Sequence, residues 1–84
     1  MGESFDSFYR REYDKAVAYA RRFSRNEAED LAQDSFCELL SAMMSRKKIR
    51  ALGPLFQVIL KRNCMNWERD NRRRAEIEEL HPAL

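Results

Sequence analysis

The stretch that most constrains how this 84-residue chain can fold runs from residue 26 to residue 36. Asn26, followed three positions later by Glu29, matches the pattern of a helix N-cap with a capping box. Glu29 and Asp30 would lie in the first helical turn, where negative charge interacts favourably with the helix dipole. Behind them, apolar or small residues recur at the spacing of one helix face: Ala28, Leu31, Ala32, Ser35, Phe36, Leu39, Leu40 and Met43. The pattern predicts a helix over residues 26–44 with an apolar back and an acidic front.

A first helix is predicted in front of this one, over residues 4–23, with Ser4 or Ser7 as its N-cap. Its apolar face consists of Phe5, Phe8, Tyr9, Tyr13, Ala16, Val17, Ala20 and Phe23. We expect this face to be core, and Tyr19, which lies off it, to be exposed. Because the connection to the next helix is very short, the two helices should be antiparallel neighbours.

A third helix is predicted over residues 54–70. A Gly-Pro pair punctuates the chain in front of it, and Pro54 fits the first turn because its missing N–H is not needed there. Residues 75–80 either extend this helix or form a short fourth one, with Ile77 and Leu80 docking on the core. The predicted fold class is therefore all-α, a three-helix bundle with a short fourth helix as the alternative ending.

Length and composition indicate a single small domain. A chain of 84 residues has room for one hydrophobic core, and two Gly and two Pro leave long stretches free to be helical. We expect one domain over residues 1–84, with its core in about residues 5–74. Residues 75–84 would form a tail or the start of a linker.

The net charge of +2 hides a strong separation of charge along the chain. Residues 26–45 hold five acidic residues and no basic one, whereas residues 46–74 hold ten basic residues against Glu68 and Asp70. The ten are Arg46, Lys47, Lys48, Arg50, Lys61, Arg62, Arg69, Arg72, Arg73 and Arg74. This distribution favours two partners of opposite charge, one of them nucleic acid. The alternative is that one helix pairs with another inside the domain.

Asn63 is an amide on or beside the apolar side of the third helix, which carries Leu55, Phe56, Ile59, Leu60 and Trp67. A polar group in that position costs free energy unless it is hydrogen-bonded. Two interpretations stay open at this point. Asn63 makes an internal hydrogen bond to a loop backbone, or it contacts a ligand from outside.

The sequence offers no catalytic or metal-binding pattern. It has no Gly-rich phosphate loop, no Ser or Cys paired with a usable base, and no ligand cluster. Cys37 and Cys64 are far apart, and His81 is the sole histidine, so neither zinc nor a disulfide is expected. We therefore expect a protein that is not an enzyme and uses no cofactor. The lack of a signal segment or a long apolar run predicts a cytoplasmic location.

Residues 28–36, AEDLAQDSF, closely resemble the AEDLvQevF signature of bacterial RNA polymerase sigma factors, particularly the extracytoplasmic-function group. Upstream, residues 8–22 are similar to the first helix of that family's region 2. Downstream, residues 61–63 and the arginine run 72–74 are similar to the iarN…lRrrrr pattern at the end of that family's region 2. The resemblance covers about residues 5–74 and implies the region 2 fold.

The resemblance also implies partners and site residues. In the family, the acidic helix docks on the coiled coil of the polymerase largest subunit, a role that falls here on Asp30, Leu31, Gln33 and Asp34. The next loop and the third helix bind the minus-ten promoter element, capture a flipped base of the non-template strand and help to melt the duplex. The matching positions are Arg46, Lys47, Lys48, Arg50, Lys61, Arg62 and Asn63, with Arg69, Arg72, Arg73 and Arg74 as phosphate contacts. An anti-sigma factor is a further partner that the family implies.

An asparagine that both donates and accepts hydrogen bonds suits a pocket for a base edge, which favours the ligand interpretation of Asn63. The chain departs from the family pattern nearby: Phe56 and Gln57 stand where the family usually has Trp-Leu, and residues 46–53 hold no aromatic. The region that reads the minus-thirty-five element is missing from the sequence, so we expect a domain of a longer factor, with an unusual one-domain protein as the alternative. The competing hypothesis is a helical adaptor that binds protein through the acidic face without touching DNA.

Overall fold

Three α-helices hold nearly all of the residues that the structure, a computed structural model, describes, namely residues 3–45, 49 and 51–80. The helices are α1 (Phe5–Ala20), α2 (Ala28–Met44) and α3 (Leu52–Leu80). No strand occurs in these described ranges, and the predicted all-α class is confirmed. The last helix is continuous over 29 residues, so the described chain ends in an extension of α3 and not in a separate fourth helix.

The start of α1 is capped as predicted. The Ser4 hydroxyl accepts a hydrogen bond from the backbone N–H of Ser7 at 3.2 Å. The helix ends at Ala20, before the predicted end at Phe23, because the Phe23 N–H donates to the Ala20 carbonyl three residues back, at 3.0 Å. Bonds of this kind tighten the chain into a turn at a helix end.

The prediction of Asn26 as the N-cap of α2 is wrong. The helix begins at Ala28, and Glu27 in the cap position makes no side-chain cap bond. The Glu27 N–H donates instead to the Ser24 hydroxyl at 3.2 Å. A serine that accepts from the N–H three residues ahead has the usual geometry of a capping side chain. Ser24 therefore fixes the turn between α1 and α2, while Asn26 is exposed.

The predicted limits of α3 are too narrow. The helix starts at Leu52, so Pro54 lies inside the first turn, where its ring is tolerated as expected. It continues past the predicted end at Asp70 because the residues that follow are mostly good helix formers. The prediction that Ile77 and Leu80 dock on the core is wrong, since they are 52% and 75% exposed.

Phe36 of α2 lies at the centre of the core. Its ring stacks on Phe56 of α3, with the ring centroids 4.2 Å apart, and meets Phe8 and Tyr9 of α1 nearly edge-on at 6.2 and 4.8 Å. Such aromatic pairs add to the free energy gained by burial. The other buried apolar residues are Ala16, Val17, Ala20, Ala28, Leu31, Ala32, Leu39, Leu52, Ile59, Leu60 and Cys64.

Two side chains depart from the predicted apolar stripes. Leu40, placed on the buried side of α2 by its spacing, is 38% exposed. Tyr19, expected to be exposed, is partly buried and packs against the core. Helical spacing locates a face to within a residue or so, and the neighbouring helix decides which edge of that face is covered.

α2 lies between the other two helices and packs against both, whereas α1 and α3 touch each other less. α3 is roughly 43 Å long at 1.5 Å per residue. From Arg69 onward every described residue of α3 is exposed, so this half extends beyond the core. The described helices include none with the length and apolar character to cross a membrane.

Candidate functional site

The front of α2 carries an acidic face. Asp30, Gln33 and Asp34 are exposed, and their spacing of three and four residues puts them on one side of the helix. Among the residues that the structure describes, no basic group lies within ion-pair distance of Asp30 or Asp34. These carboxylates are therefore not neutralised by α1 or α3, so the alternative of one helix pairing with another does not apply to them within the described residues.

Leu31, the fourth residue assigned to this face by the resemblance, is 8% exposed and belongs to the hydrophobic core. It lies between Asp30 and the buried Ala32, so its side chain leaves the acidic face and enters the bundle. The structure thus brings three of the four predicted residues to the surface and places the fourth behind them.

Asn63 of α3 makes an internal hydrogen bond, but not to a loop backbone. Its side-chain amide donates to the Ser35 hydroxyl of α2 at 3.0 Å. Ser35 is completely buried and donates in turn to the Leu31 carbonyl at 2.7 Å. The Asn63 side chain is half-buried, so one end is held by α2 while the residue still reaches the surface.

Lys61 and Arg62 are exposed on α3 next to Asn63. The Arg62 guanidinium forms an ion pair with Glu38, which lies one turn beyond Asp34 on α2. This pair ties the acidic helix to the basic one at the surface. Because both side chains are roughly half exposed, the pair contributes little to stability, about 0.2–1 kcal/mol.

The remaining predicted phosphate contacts all lie on the exposed half of α3. Arg62, Arg69 and Arg73 share one stripe, since the spacings of seven and four residues return to the same side of a helix. The stripe spans about 16 Å along the axis. Arg72 and Arg74 point to other sides, and Arg72 pairs with Glu68 at 2.7 Å. The arginine side chains of α3 thus point in several directions around the helix and do not share one face.

The predicted loop residues Arg46, Lys47, Lys48 and Arg50 lie outside the described residues. Ile49 between them is partly buried against the core, and Leu52 is buried. No group of three or more His, Cys, Asp or Glu that could hold a metal ion occurs in residues 3–45, 49 and 51–80.

Sequence reasoning missed several residues of interest. Ser35 lies on a predicted apolar stripe, and nothing in the sequence indicates that it contacts a residue 28 positions away. Tyr19, Arg22 and Asn71 are not among the predicted site residues, although they line a common cleft with Trp67. The basic residues at positions 21, 22 and 25 could have indicated a charged surface here, because they cluster in the turn between α1 and α2, where Arg22 lines the cleft with residues of α3.

The fold and the two charged faces define a helical interaction domain with an acidic helix packed beside a basic one. The model of the sigma-70 region 2 family matches residues 8–74, which is most of the chain. The chain belongs to the sigma-70 region 2 family. Comparisons with curated proteins and with solved structures gave no match.

Family membership confirms the resemblance drawn from the sequence at the level of region 2. Domains of this family act in transcription initiation, where they bind core RNA polymerase and recognise the minus-ten promoter element. They are non-enzymatic transcription factor domains.

Proposed function

We propose that this domain brings core RNA polymerase to a promoter by contacting both partners at once. The acidic face of α2 binds the polymerase, and α3 with the loop before it binds the melted minus-ten strand. One observation carries the proposal: exposed carboxylates without a described basic partner lie on α2, and the basic residues lie on the helix packed beside it.

In the polymerase contact, Asp30, Gln33 and Asp34 bind basic and polar groups on the coiled coil of the largest subunit. Carboxylates exposed on a rigid helix suit charge-assisted hydrogen bonds to lysine or arginine. Leu31 does not contact the polymerase itself. Its buried side chain anchors α2 in the core and so positions the acidic face.

The polymerase contact is tested by measuring the affinity of the chain for a polymerase coiled-coil fragment. Asp34→Arg should weaken binding at least about tenfold, because it replaces an attraction by a repulsion. Asp14→Arg is the matched control, since Asp14 is also an exposed aspartate but lies on α1. Equal affinities of the two variants would contradict the proposed face.

In the DNA contact, Asn63 hydrogen-bonds the edge of a flipped base of the non-template strand. The bond to Ser35 supports this role because it holds the amide in one orientation and leaves the carbonyl oxygen to accept. Lys61 and Arg62 bind the adjacent phosphates, with Arg46, Lys47, Lys48 and Arg50 completing the positive groove. Arg69, Arg72, Arg73 and Arg74 continue the phosphate contacts along α3. Capture of the base stabilises the melted duplex.

The DNA contact is tested with single strands in which the minus-ten positions are varied one at a time. Asn63→Ala should reduce the discrimination between strands by about 5- to 100-fold, the range of a lost base-edge contact. Lys61→Ala should weaken all strands alike and lower the salt slope by about 0.7. Asn26→Ala, in the exposed turn before α2, is the control. Unchanged discrimination with Asn63→Ala would contradict the role of Asn63. If the unaltered chain binds polymerase but no strand, the adaptor hypothesis replaces the DNA-binding one.

The finer assignments are part of the same proposal. We place the chain in the extracytoplasmic-function group of sigma factors, acting in the cytoplasm, with an anti-sigma factor as a further partner. Residues 5–74 form the folded unit and residues 75–84 a tail or the start of a linker. The exposure of every residue of α3 from 75 to 80 supports that boundary.

A further inference from the structure

The half of α3 that extends beyond the core carries two adjacent blocks of opposite charge. Residues 69–74, the basic block, hold four arginines and one aspartate, a net charge of +3. Residues 75–80, the acidic block, hold three glutamates and no basic residue, a net charge of −3. Every side chain of both blocks is exposed. The function proposed above uses the arginines but gives the acidic block no role.

The acidic block lies at the end of the helix that suits it least. Its glutamates, Glu76, Glu78 and Glu79, fall in the last turns of the described helix, which has no basic residue in its last turn. Negative charge at this end interacts unfavourably with the helix dipole. Among the residues that the structure describes, no basic group lies within ion-pair distance of these three carboxylates. The described part of one copy of the chain therefore leaves them uncompensated.

One exposed stripe of α3 runs through both blocks. Arg69, Arg73, Glu76 and Leu80 follow one another at intervals of four, three and four residues, which keeps them on one side of the helix. A groove of about 530 Å³ lies along this side, lined by residues that include Arg69, Arg73 and Glu76. Grooves between the side-chain rows of a helix receive the side chains of a packing helix. The stripe thus has the form of a helix-docking surface.

The stripe is complementary to itself when two copies of the helix run antiparallel. A two-fold axis between residues 74 and 75 lays the basic block of each copy along the acidic block of the other. Arg73 then lies opposite Glu76 of the second copy, and Leu80 packs on the aliphatic stem of the second copy's Arg69. Each contact occurs twice, because the axis relates the two copies.

We propose that the exposed half of α3 binds the same half of a second copy of the chain, antiparallel and in this register. A basic protein could neutralise the acidic block, and nucleic acid could neutralise the basic one. A second copy satisfies both blocks with one surface, which favours it as the occupant. Because the contact is small and mainly polar, we expect a weak dimer that salt dissociates.

Self-association withholds Arg69 and Arg73 from DNA, because both side chains face the acidic block of the other copy. Dimer formation and strand binding should therefore exclude each other. This part of the inference rests on the function proposed above, whereas the self-association does not.

Sedimentation equilibrium of the 84-residue chain at up to about 1 mM measures the association. Arg73→Glu and Glu76→Arg should each weaken it at least about tenfold, because each variant places like charges opposite each other twice. An equimolar mixture of the two variants should restore it, since positions 73 and 76 of the two copies then carry opposite charges again.

Arg10→Glu is the matched control, because Arg10 is an exposed arginine of α1 that pairs with Asp6. It should associate as the unaltered chain does. All replaced residues are exposed, so the variants should fold, which circular dichroism verifies.

The exclusion is tested by adding a minus-ten single strand to the unaltered chain, which should replace the dimer by a complex of one chain with one strand. A dimer that persists with strand bound would contradict the exclusion. If no strand binds but the mixture of Arg73→Glu and Glu76→Arg associates, the self-association stands and the proposed DNA contact fails.

Three results would overturn the self-association itself. They are an unaltered chain that stays monomeric at the highest concentration, two variants that associate as strongly as the unaltered chain, and a mixture of the variants that stays monomeric.

Discussion

The side-chain amide of Asn63 donates a hydrogen bond to the Ser35 hydroxyl at 3.0 Å, and this bond joins α3 to α2 through a half-buried site. The Ser35 hydroxyl in turn donates a hydrogen bond to the Leu31 carbonyl at 2.7 Å. Leu31 is buried and follows Asp30, which lies on the acidic face. One hydrogen bond thus connects the amide proposed to read a base with the helix proposed to bind the polymerase, and a second one holds Ser35 within that helix.

Removal of the Ser35 hydroxyl should loosen this connection. We expect Ser35→Ala to lower the free energy of unfolding by about 1 kcal/mol, since Asn63 loses its partner in a half-buried position. The variant should also discriminate less between single strands. Urea unfolding and strand titration measure the two effects, with Ser41→Ala, at an exposed serine of α2, as the control. Wild-type values in both measurements would show that the bond does not hold Asn63.

Phe36 should be the side chain whose loss damages the fold most. Its ring touches aromatic residues of both α1 and α3, and only 2% of it is exposed. We expect Phe36→Ala to lower the free energy of unfolding by about 3–5 kcal/mol, a large share of the stability of a small domain. Leu40→Ala, on the same helix but 38% exposed, should cost less than about 1 kcal/mol. Equal losses in thermal unfolding would contradict the assignment of the core.

The end of α3 should be dispensable for the stability of the bundle. Residues 75–80 are all exposed, including Ile77 and Leu80. A chain ending at Arg74 should lose helical signal but keep its free energy of unfolding within about 0.5 kcal/mol. A chain ending at Leu60, which removes the buried Cys64, should be strongly destabilised. A large loss from the shorter deletion would mean that the apolar residues at the end pack on the core after all.

The two cysteines should react differently with thiol reagents. Cys37 is exposed, whereas Cys64 is fully buried, and burial raises the pKa of the Cys64 thiol. We expect one thiol per folded chain to react quickly with Ellman's reagent at mildly alkaline pH, and Cys37→Ala to remove that fast reaction. Two thiols that react at the same rate in the folded chain would contradict the burial of Cys64.

The raised pKa of Cys64 also predicts how stability depends on pH. The folded chain keeps its thiol proton at pH values where the unfolded chain has lost it. The protonated Cys64 thiol therefore makes its full contribution to the free energy of unfolding below the pKa of an exposed thiol. The contribution declines as the pH rises from there toward the raised pKa of Cys64 in the folded chain. Cys64→Ala should remove that part of the decline, as measured by urea unfolding at several pH values.

The sequence was sufficient for those parts of the fold that depend on periodicity and on local chemistry. The apolar faces of the helices follow from the spacing of their apolar residues. The Ser4 cap follows from a serine whose hydroxyl accepts a hydrogen bond from a nearby backbone N–H. The prediction of the α2 cap is wrong because the helix begins two residues after Asn26, and the turn before it is held by Ser24, which accepts from the Glu27 N–H. The length of α3 was underestimated because no core contact marks the exposed residues that continue it.

The candidate site was less accessible to sequence reasoning. The exposure of Asp30, Gln33 and Asp34 follows from their position opposite an apolar stripe. The contact between Ser35 and Asn63, by contrast, depends on how far α2 and α3 are rotated about their own axes. The cleft that Tyr19 of α1 and Trp67 of α3 line together likewise depends on how these two helices face each other, which no local pattern specifies.

The central claim is that the two charged faces act at the same time, and a three-component capture measurement tests it most directly. A labelled non-template minus-ten strand is added to immobilised core RNA polymerase with and without the chain. We predict that the chain increases strand retention, that Asp34→Arg loses both chain and strand, and that Asn63→Ala keeps the chain but loses the strand. Retention of the chain without any gain in strand, or unchanged strand retention with Asp34→Arg, would contradict the claim.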